Sequence, residues 1–211
     1  MPLKRDLISR VYPIISFENS TENFTEKGYQ DYFKEILSTE VSIVQIRAKN
    51  VELDMLKDLI IKCMELKNKL NPRVKLIVND YVELAKLADG VHLGQDDENA
   101  ANTREILGES KIIGLSTHNL EQIKTAPQEI LNYLAIGPVF ESRTKSGHEA
   151  VLGLDILSEA KKLCSIPLVA IGGIDTENVA EVYAAGIKSV AVISDIYLAK
   201  DRKAQIQKYF S

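Results

Sequence analysis

Residues 76–97 read LIVNDYVELAKLADGVHLGQDD. Two short apolar runs, LIV at 76–78 and GVHL at 90–93, each give way to polar and acidic residues. Asn79 and Asp80 follow the first; Gln95, Asp96 and Asp97 follow the second. Between them, VELAKLA at 82–88 spaces its apolar residues as a helix with one buried face does. Strand, helix and strand in so little chain make a βαβ unit, whose two strands run parallel. Acids just past the ends of both strands then sit on the same edge of the sheet. Asp80 could simply cap the helix after it. The alternative is that both acids face one site, around a metal ion.

The same alternation runs along the chain. Eight apolar, β-branched runs recur: VYPIIS (11–16), SIVQI (42–46), VKLIV (74–78), GVHL (90–93), KIIGL (111–115), NYLAI (132–136), PLVAI (167–171) and SVAVI (189–193). Most are continuous rather than alternating, as in strands buried on both faces. Helical patterns separate them, at 28–37, 52–70, 82–88, 102–107, 119–126, 154–163 and 176–185, with a last one at 196–210. Asn119 and Thr176 suit helix N-caps, and Gly186 suits a helix C-terminus. Eight βα units predict an α/β fold, a closed (β/α)8 TIM barrel formed by residues 1–211 as a single domain. An open doubly wound sheet would want a glycine-rich turn after the first strand, and ISFENST has none. The longest internal loop, from Gly137 to about Gly153, has the length of a lid or binding loop.

Composition narrows the functions open to such a barrel. The chain has 211 residues, 45% of them hydrophobic, and a net charge of −4. That leaves no basic footprint for nucleic acid. No run approaches the length of a membrane span, and MPLKRDLISRVYPIIS lacks the apolar core of a signal peptide. Cys63 and Cys164 lie far apart in helical sequence and read as buried, reduced thiols. A cytoplasmic enzyme working on small molecules is expected, with a homodimer left open.

Barrel chemistry gathers at the C-terminal ends of the strands. There the sequence places Gln45, Arg47 and Lys49; Asn79 and Asp80; Gln95, Asp96 and Asp97; and Ser116, Thr117 and His118. Further round come GPVFESRTKSGH at 137–148, then Gly172 and Gly173, then Ser194 and Asp195. Arg47 and Lys49 alternate along a strand, so they share a side and can grip a phosphate or diphosphate; alone they could equally be solvated charges. Asp80 and Asp97 are hard oxygen ligands suited to Mg²⁺, which keeps waters and substrate phosphate oxygens in its shell. IGGI at 171–174, with a helix behind it, has the form of a barrel phosphate site, and VISD at 192–195 would close the same pocket. Two anions are therefore expected: a diphosphate leaving group beside a metal, and a phosphorylated nucleophile.

In order and spacing, QIRAK (45–49), ND (79–80), GVHLGQDD (90–97), IGLSTH (113–118), GPVFESRTK (137–145), AIGGI (170–174) and VAVIS (190–194) resemble the thiamine-phosphate synthase family, also called thiamine-phosphate pyrophosphorylase. The resemblance covers nearly the whole chain. It implies a transferase that joins hydroxymethylpyrimidine diphosphate to hydroxyethylthiazole phosphate. It matches Gln45, Arg47, Lys49 and Asn79 to the pyrimidine diphosphate, with Ser116 and Lys145 on the diphosphate side. It matches Asp80 and Asp97 to Mg²⁺, and Ser142, Thr144, Gly173, Ile193 and Ser194 to the thiazole phosphate. His118 is carried over as a substrate-binding residue.

Four positions depart from the family pattern. Ala48 replaces the glutamate of QLREK, Tyr81 follows ND, and Glu141 and Ser142 open the loop usually written PTxTK. Serine keeps the hydroxyl; Glu141 adds a negative charge beside an expected anion. Two further readings stand beside the synthase. One is a thiazole tautomerase, a related branch using proton transfer through His118. The other is a non-catalytic barrel that binds a phosphorylated ligand. A tautomerase needs neither Mg²⁺ ligands nor diphosphate cations, and this chain has both sets. No nucleophilic cysteine or Ser–His–Asp set is apparent, and His92 is expected to be packed or hydrogen-bonded within its strand.

Overall fold

The computed structural model describes residues 7–18, 26–49, 51–141 and 150–211. Its strands are β1 (Val11–Glu18), β2 (Ile43–Lys49), β3 (Lys75–Asn79), β4 (Gly90–Leu93), β5 (Ile112–Thr117), β6 (Tyr133–Ile136), β7 (Leu168–Ile171) and β8 (Ser189–Val192). All pair in parallel with their neighbours in chain order, and β8 returns to β1 to close the barrel. The closing register sets Val11 beside Val190. All eight expected strands are present and the (β/α)8 expectation holds.

Period two divides each strand between two cores. Val44, Ile46, Leu76, Val78, Val91 and Leu134 face outward and pack with the helices. Tyr12, Ile14, Ile43, Ile77, Ile112, Tyr133 and Val169 turn inward and fill the barrel. The inward rows therefore begin apolar. By the same alternation they run on to Ser16, Arg47, Asn79, His92 and Ser116. The pleat of the strands alone thus sets polar side chains around one closed rim.

Helices cover the outside: α1 (Glu26–Leu37), α2 (Leu53–Leu70), α3 (Val82–Ala85), α4 (Ala100–Leu107), α5 (Leu120–Thr125), α6 (Asp155–Leu163), α7 (Val179–Ala184), α8 (Ser194–Tyr197) and α9 (Arg202–Lys208). The longest, α2, buries Leu56, Ile60, Cys63 and Lys67 along one stripe. Each apolar member stabilises the fold by roughly 1.5–3 kcal/mol. Lys67 ends the stripe in an ion pair with Asp89 at 3.2 Å.

The ends of the helices correct some expectations. Asn119 caps α5, accepting from the Gln122 N–H at 2.9 Å, and Gly186 takes a left-handed φ of 91° just past α7. Thr176 is not a cap. Asp175 Oδ1 instead accepts from the N–H groups of Glu177 and Asn178, and α7 starts only at Val179. The single helix expected at 196–210 is two, because Asp201 caps a fresh start by accepting from the Ala204 N–H at 3.0 Å. Both cysteines are free, but only Cys63 is fully buried; Cys164 is half-buried. Burial pushes the Cys63 thiol up to about 12 and the Cys164 thiol up to about 11, so both are inert at neutral pH.

Candidate active site

Asp80 and Asp97 meet at the rim. Asp80 follows β3 and Asp97 lies in the turn after β4, and the two carboxyl groups are close enough to act directly on one another. Two carboxylates side by side repel, so one of them is the easier to protonate unless a cation lies between them. Burial and the neighbouring Asp97 carboxyl push the Asp80 carboxyl up to about 6, while Lys49 and Arg47 pull it back. Four of the expected residues therefore stand within one electrostatic neighbourhood. Asp97 is also fixed to its own turn, accepting from the Gly94 N–H at 2.6 Å. Asp96 is exposed beside it.

Asp80 is held in an unfavourable backbone conformation. Its φ is 65°, and among described residues it is the one non-glycine residue with positive φ. Aspartate tolerates this region better than most residues, yet it still costs energy. The Asp80 N–H donates to the His92 carbonyl at 2.9 Å, which locks the turn to the neighbouring strand. The register sets Asn79 beside His92.

The oxygen pair suits a hard divalent cation. Among the described residues no group of three or more His, Cys, Asp or Glu gathers. The two carboxylates would leave most of the coordination shell to water and phosphate oxygens, as Mg²⁺ favours.

Below the rim the inward side chains form a hydrogen-bonded chain. Gln45 Nε2 donates to the Tyr12 hydroxyl at 3.0 Å, and the Tyr12 and Tyr133 hydroxyls are 3.0 Å apart. The Tyr133 hydroxyl lies 2.9 Å from His92 Nδ1. His92 Nε2 lies 2.8 Å from Ser116 Oγ. The Tyr133 ring stacks on His92 at 5.5 Å and meets Tyr12 edge-on at 5.9 Å. Burial pushes both phenols up and the His92 imidazole down to about 4, against the pull of Asp97. All three are therefore neutral near pH 7. Gly114 makes room: a Cβ there would lie 2.0 Å from a Tyr133 ring carbon.

The remaining expected residues sit as follows. Arg47 donates to Ser16 Oγ at 3.1 Å. Gln95 Nε2 donates to the Ser116 carbonyl at 2.5 Å. His118 Nδ1 donates to the Gly137 carbonyl at 2.8 Å, tying the end of β5 to the loop after β6. Gly173 has φ 61°, and a Cβ there would strike the Glu141 carbonyl at 2.4 Å, so only glycine fits. Glu141 is exposed. Ile193 and Ser194 pass from β8 into α8. Asp195 turns instead to the C-terminal segment: its Oδ2 accepts from the Tyr209 hydroxyl at 2.6 Å and from Gln205 Nε2 at 2.8 Å. Ser142, Arg143, Thr144, Lys145 and His148 lie outside the described residues.

Sequence reasoning missed Tyr12 and Tyr133. The signal was present: a tyrosine inside a fully apolar strand needs a partner for its hydroxyl.

Fold and rim together define a (β/α)8 barrel of the kind that carries its chemistry at the C-terminal ends of its strands. A family model described as thiamine monophosphate synthase matches residues 12–196, from β1 into α8. The chain is 41% identical over 199 residues to a thiamine-phosphate synthase of Koribacter versatilis, covering 93% of each chain. It is 39% identical over 178 residues to one of Caldicellulosiruptor saccharolyticus, covering 83% of this chain and 79% of the relative. Among solved structures, a thiamine phosphate pyrophosphorylase from Pyrococcus furiosus superposes with a TM-score of 0.81 at 27% identity, covering 95% of this chain and 94% of that one. The chain belongs to the thiamine monophosphate synthase family, a family of transferases.

Proposed function

We propose that this chain couples 4-amino-2-methyl-5-hydroxymethylpyrimidine diphosphate with hydroxyethylthiazole phosphate, giving thiamine phosphate and pyrophosphate. The observation that carries the reading is the Asp80–Asp97 pair beside Arg47 and Lys49. Acids and cations in one neighbourhood suit a metal-bound diphosphate. They have no use in a thiazole tautomerase acting through His118.

In this reading the C–O bond between the pyrimidine methylene and the diphosphate breaks, and its electron pair leaves with pyrophosphate. The thiazole nitrogen then gives its pair to the methylene carbon. No proton need be removed, so the demand is for charge stabilisation and alignment. Arg47, Lys49, Lys145 and the Ser116 hydroxyl bind the departing diphosphate. Gln45 and Asn79 hold the pyrimidine, and His118 lines the same space. Ser142, Thr144, the Gly173 backbone, Ile193 and Ser194 hold the thiazole phosphate. Asp80 and Asp97 would hold Mg²⁺, which when bound neutralises diphosphate charge. The same reading expects a cytoplasmic enzyme of one domain spanning residues 1–211.

The test mixes protein, both substrates and Mg²⁺, and follows thiamine phosphate by thiochrome fluorescence, with EDTA as control. Product that disappears with EDTA supports the reading. No product from folded protein, with isomerisation of a thiazole phosphate lost in His118→Ala, would establish the tautomerase. Saturable binding of the thiazole phosphate without either activity would leave a binding barrel.

A further inference from the structure

The hydrogen-bonded chain inside the barrel has a direction, and that direction can be deduced. Its members are Gln45, Tyr12, Tyr133, His92 and Ser116, contributed by β2, β1, β6, β4 and β5 in turn. Gln45 Nε2 can only donate, so Tyr12 Oη accepts there. Each tyrosine has one hydroxyl hydrogen. His92 has one hydroxyl against each ring nitrogen, so an N–H on Nδ1, in any protonation state, could only donate to Tyr133.

Suppose Tyr133 donates to Tyr12. The Tyr12 hydrogen then has no acceptor among its described partners, deep in the barrel, where Tyr12 is 1% exposed. Suppose instead that His92 Nδ1–H donates to Tyr133 while Tyr12 does the same. The Tyr133 hydrogen is then stranded at 0% exposure. A stranded buried donor forfeits the hydrogen bond it had to water in the unfolded chain and gains none in return. One arrangement strands none: Gln45 donates to Tyr12, Tyr12 to Tyr133, Tyr133 to His92 Nδ1, and His92 Nε2–H to Ser116 Oγ. The one hydrogen left over is that of Ser116, at the half-buried end of the chain.

We infer that this relay is a positioning device: it locks His92 as the Nε2–H tautomer, so that Ser116 accepts from the ring and its own hydroxyl hydrogen is presented to the ligand in the barrel mouth. His92, Tyr133 and Tyr12 are positioning residues acting through Ser116. On the proposed function, on which this part of the inference rests, the recipient is an oxygen of the departing diphosphate, and an anion must find a donor there. The opposite orientation would offer it a lone pair and repel it. The relay also begins at Gln45, on the pyrimidine side. Orientation of Ser116 is thereby tied to the other end of the same substrate.

The test has two arms. First, long-range ¹H–¹⁵N correlation spectra of the ligand-free protein read the tautomer of each histidine directly, with His92→Gln assigning the signal. A protonated Nε2 and a bare Nδ1 on His92 are expected. A protonated Nδ1 overturns the inference, whatever the enzyme turns out to do. Second, Tyr133→Phe keeps the stacked ring and removes the hydroxyl that satisfies Nδ1. With fold checked by circular dichroism, kcat for coupling should fall about ten- to a hundred-fold with little change in KM, as for loss of a donor acting mainly in the transition state. Ser116→Ala should fall similarly, and the double variant no further, because the two act as one unit. Wild-type kcat in Tyr133→Phe, or independent, multiplying losses, would refute the relay. If the wild type does not couple the substrates at all, the proposed function fails while the spectrum still decides the tautomer.

Discussion

The metal binding proposed for Asp80 and Asp97 should depend on pH at an unusual place. In the metal-free protein the Asp80 carboxyl titrates at about 6. A metal ligand must be the carboxylate, so the ion competes with the proton. The apparent dissociation constant scales as one plus the ratio of protonated to ionised acid. Relative to pH 8, it should rise about twofold at pH 6 and about tenfold at pH 5. An ordinary aspartate near 3.9 would give almost no change over that range. Mn²⁺ as probe, followed by electron paramagnetic resonance at each pH, measures the constant. Calorimetry in buffers of different ionisation enthalpy should find about half a proton released per ion at pH 6. Asp97→Asn removes the neighbouring charge and should weaken binding while moving the inflection down toward the ordinary range. The same shift has a sign for stability. A carboxyl raised in the folded state contributes stability below about pH 4 that is lost as pH rises through about 6. In EDTA the wild type should therefore lose stability over that window relative to Asp97→Asn. A flat affinity from pH 8 to pH 5 would refute the argument, because the two carboxyls would then not face one another in the folded chain.

Other expectations follow from the same geometry. Asp97→Ala should abolish coupling at any Mg²⁺ concentration, and a near-normal Mg²⁺-dependent rate would remove Asp97 from the metal site. Lys145→Ala should slow single-turnover product formation about a hundredfold by taking a cation from the leaving group, whereas an unchanged rate would leave that role to Arg47 and Lys49 alone. Gly114→Ala forces a methyl into the Tyr133 ring, 2.0 Å from its nearest carbon. It should cost about 1–3 kcal/mol, and a chain of this length should lose about 2–4 °C in Tm for each of those, read by calorimetry. An unchanged Tm would mean that the barrel interior is looser than Gly114 implies.

The barrel was legible because its signals are local and repeated. Each strand is a short β-branched run bounded by polar residues, and alternation with helices settles parallel pairing. Helix ends are less legible. Thr176 carries a capping hydroxyl, but Asp175 one residue earlier is the stronger acceptor and delays α7. At 196–210 the apolar period runs on, while Asp201 restarts the helix. On the rim, Arg47, Lys49, Asp80 and Asp97 could be grouped from sequence because strand ends converge in a barrel. The Tyr12–Tyr133–His92 contacts could not be. They join residues 121 and 41 positions apart across the barrel interior, and only the closed register brings their hydroxyls and ring together.

The left-handed φ of Asp80 sets stability and chemistry against each other at one residue. Glycine or asparagine would sit there with less strain, and neither would face Asp97 as a second like charge. Either change should make the metal-free protein harder to unfold while stripping it of an acid. Selecting variants for heat resistance alone would therefore drift toward losing Asp80. A more rugged descendant of this chain that has kept Asp80 will have gained its ruggedness elsewhere.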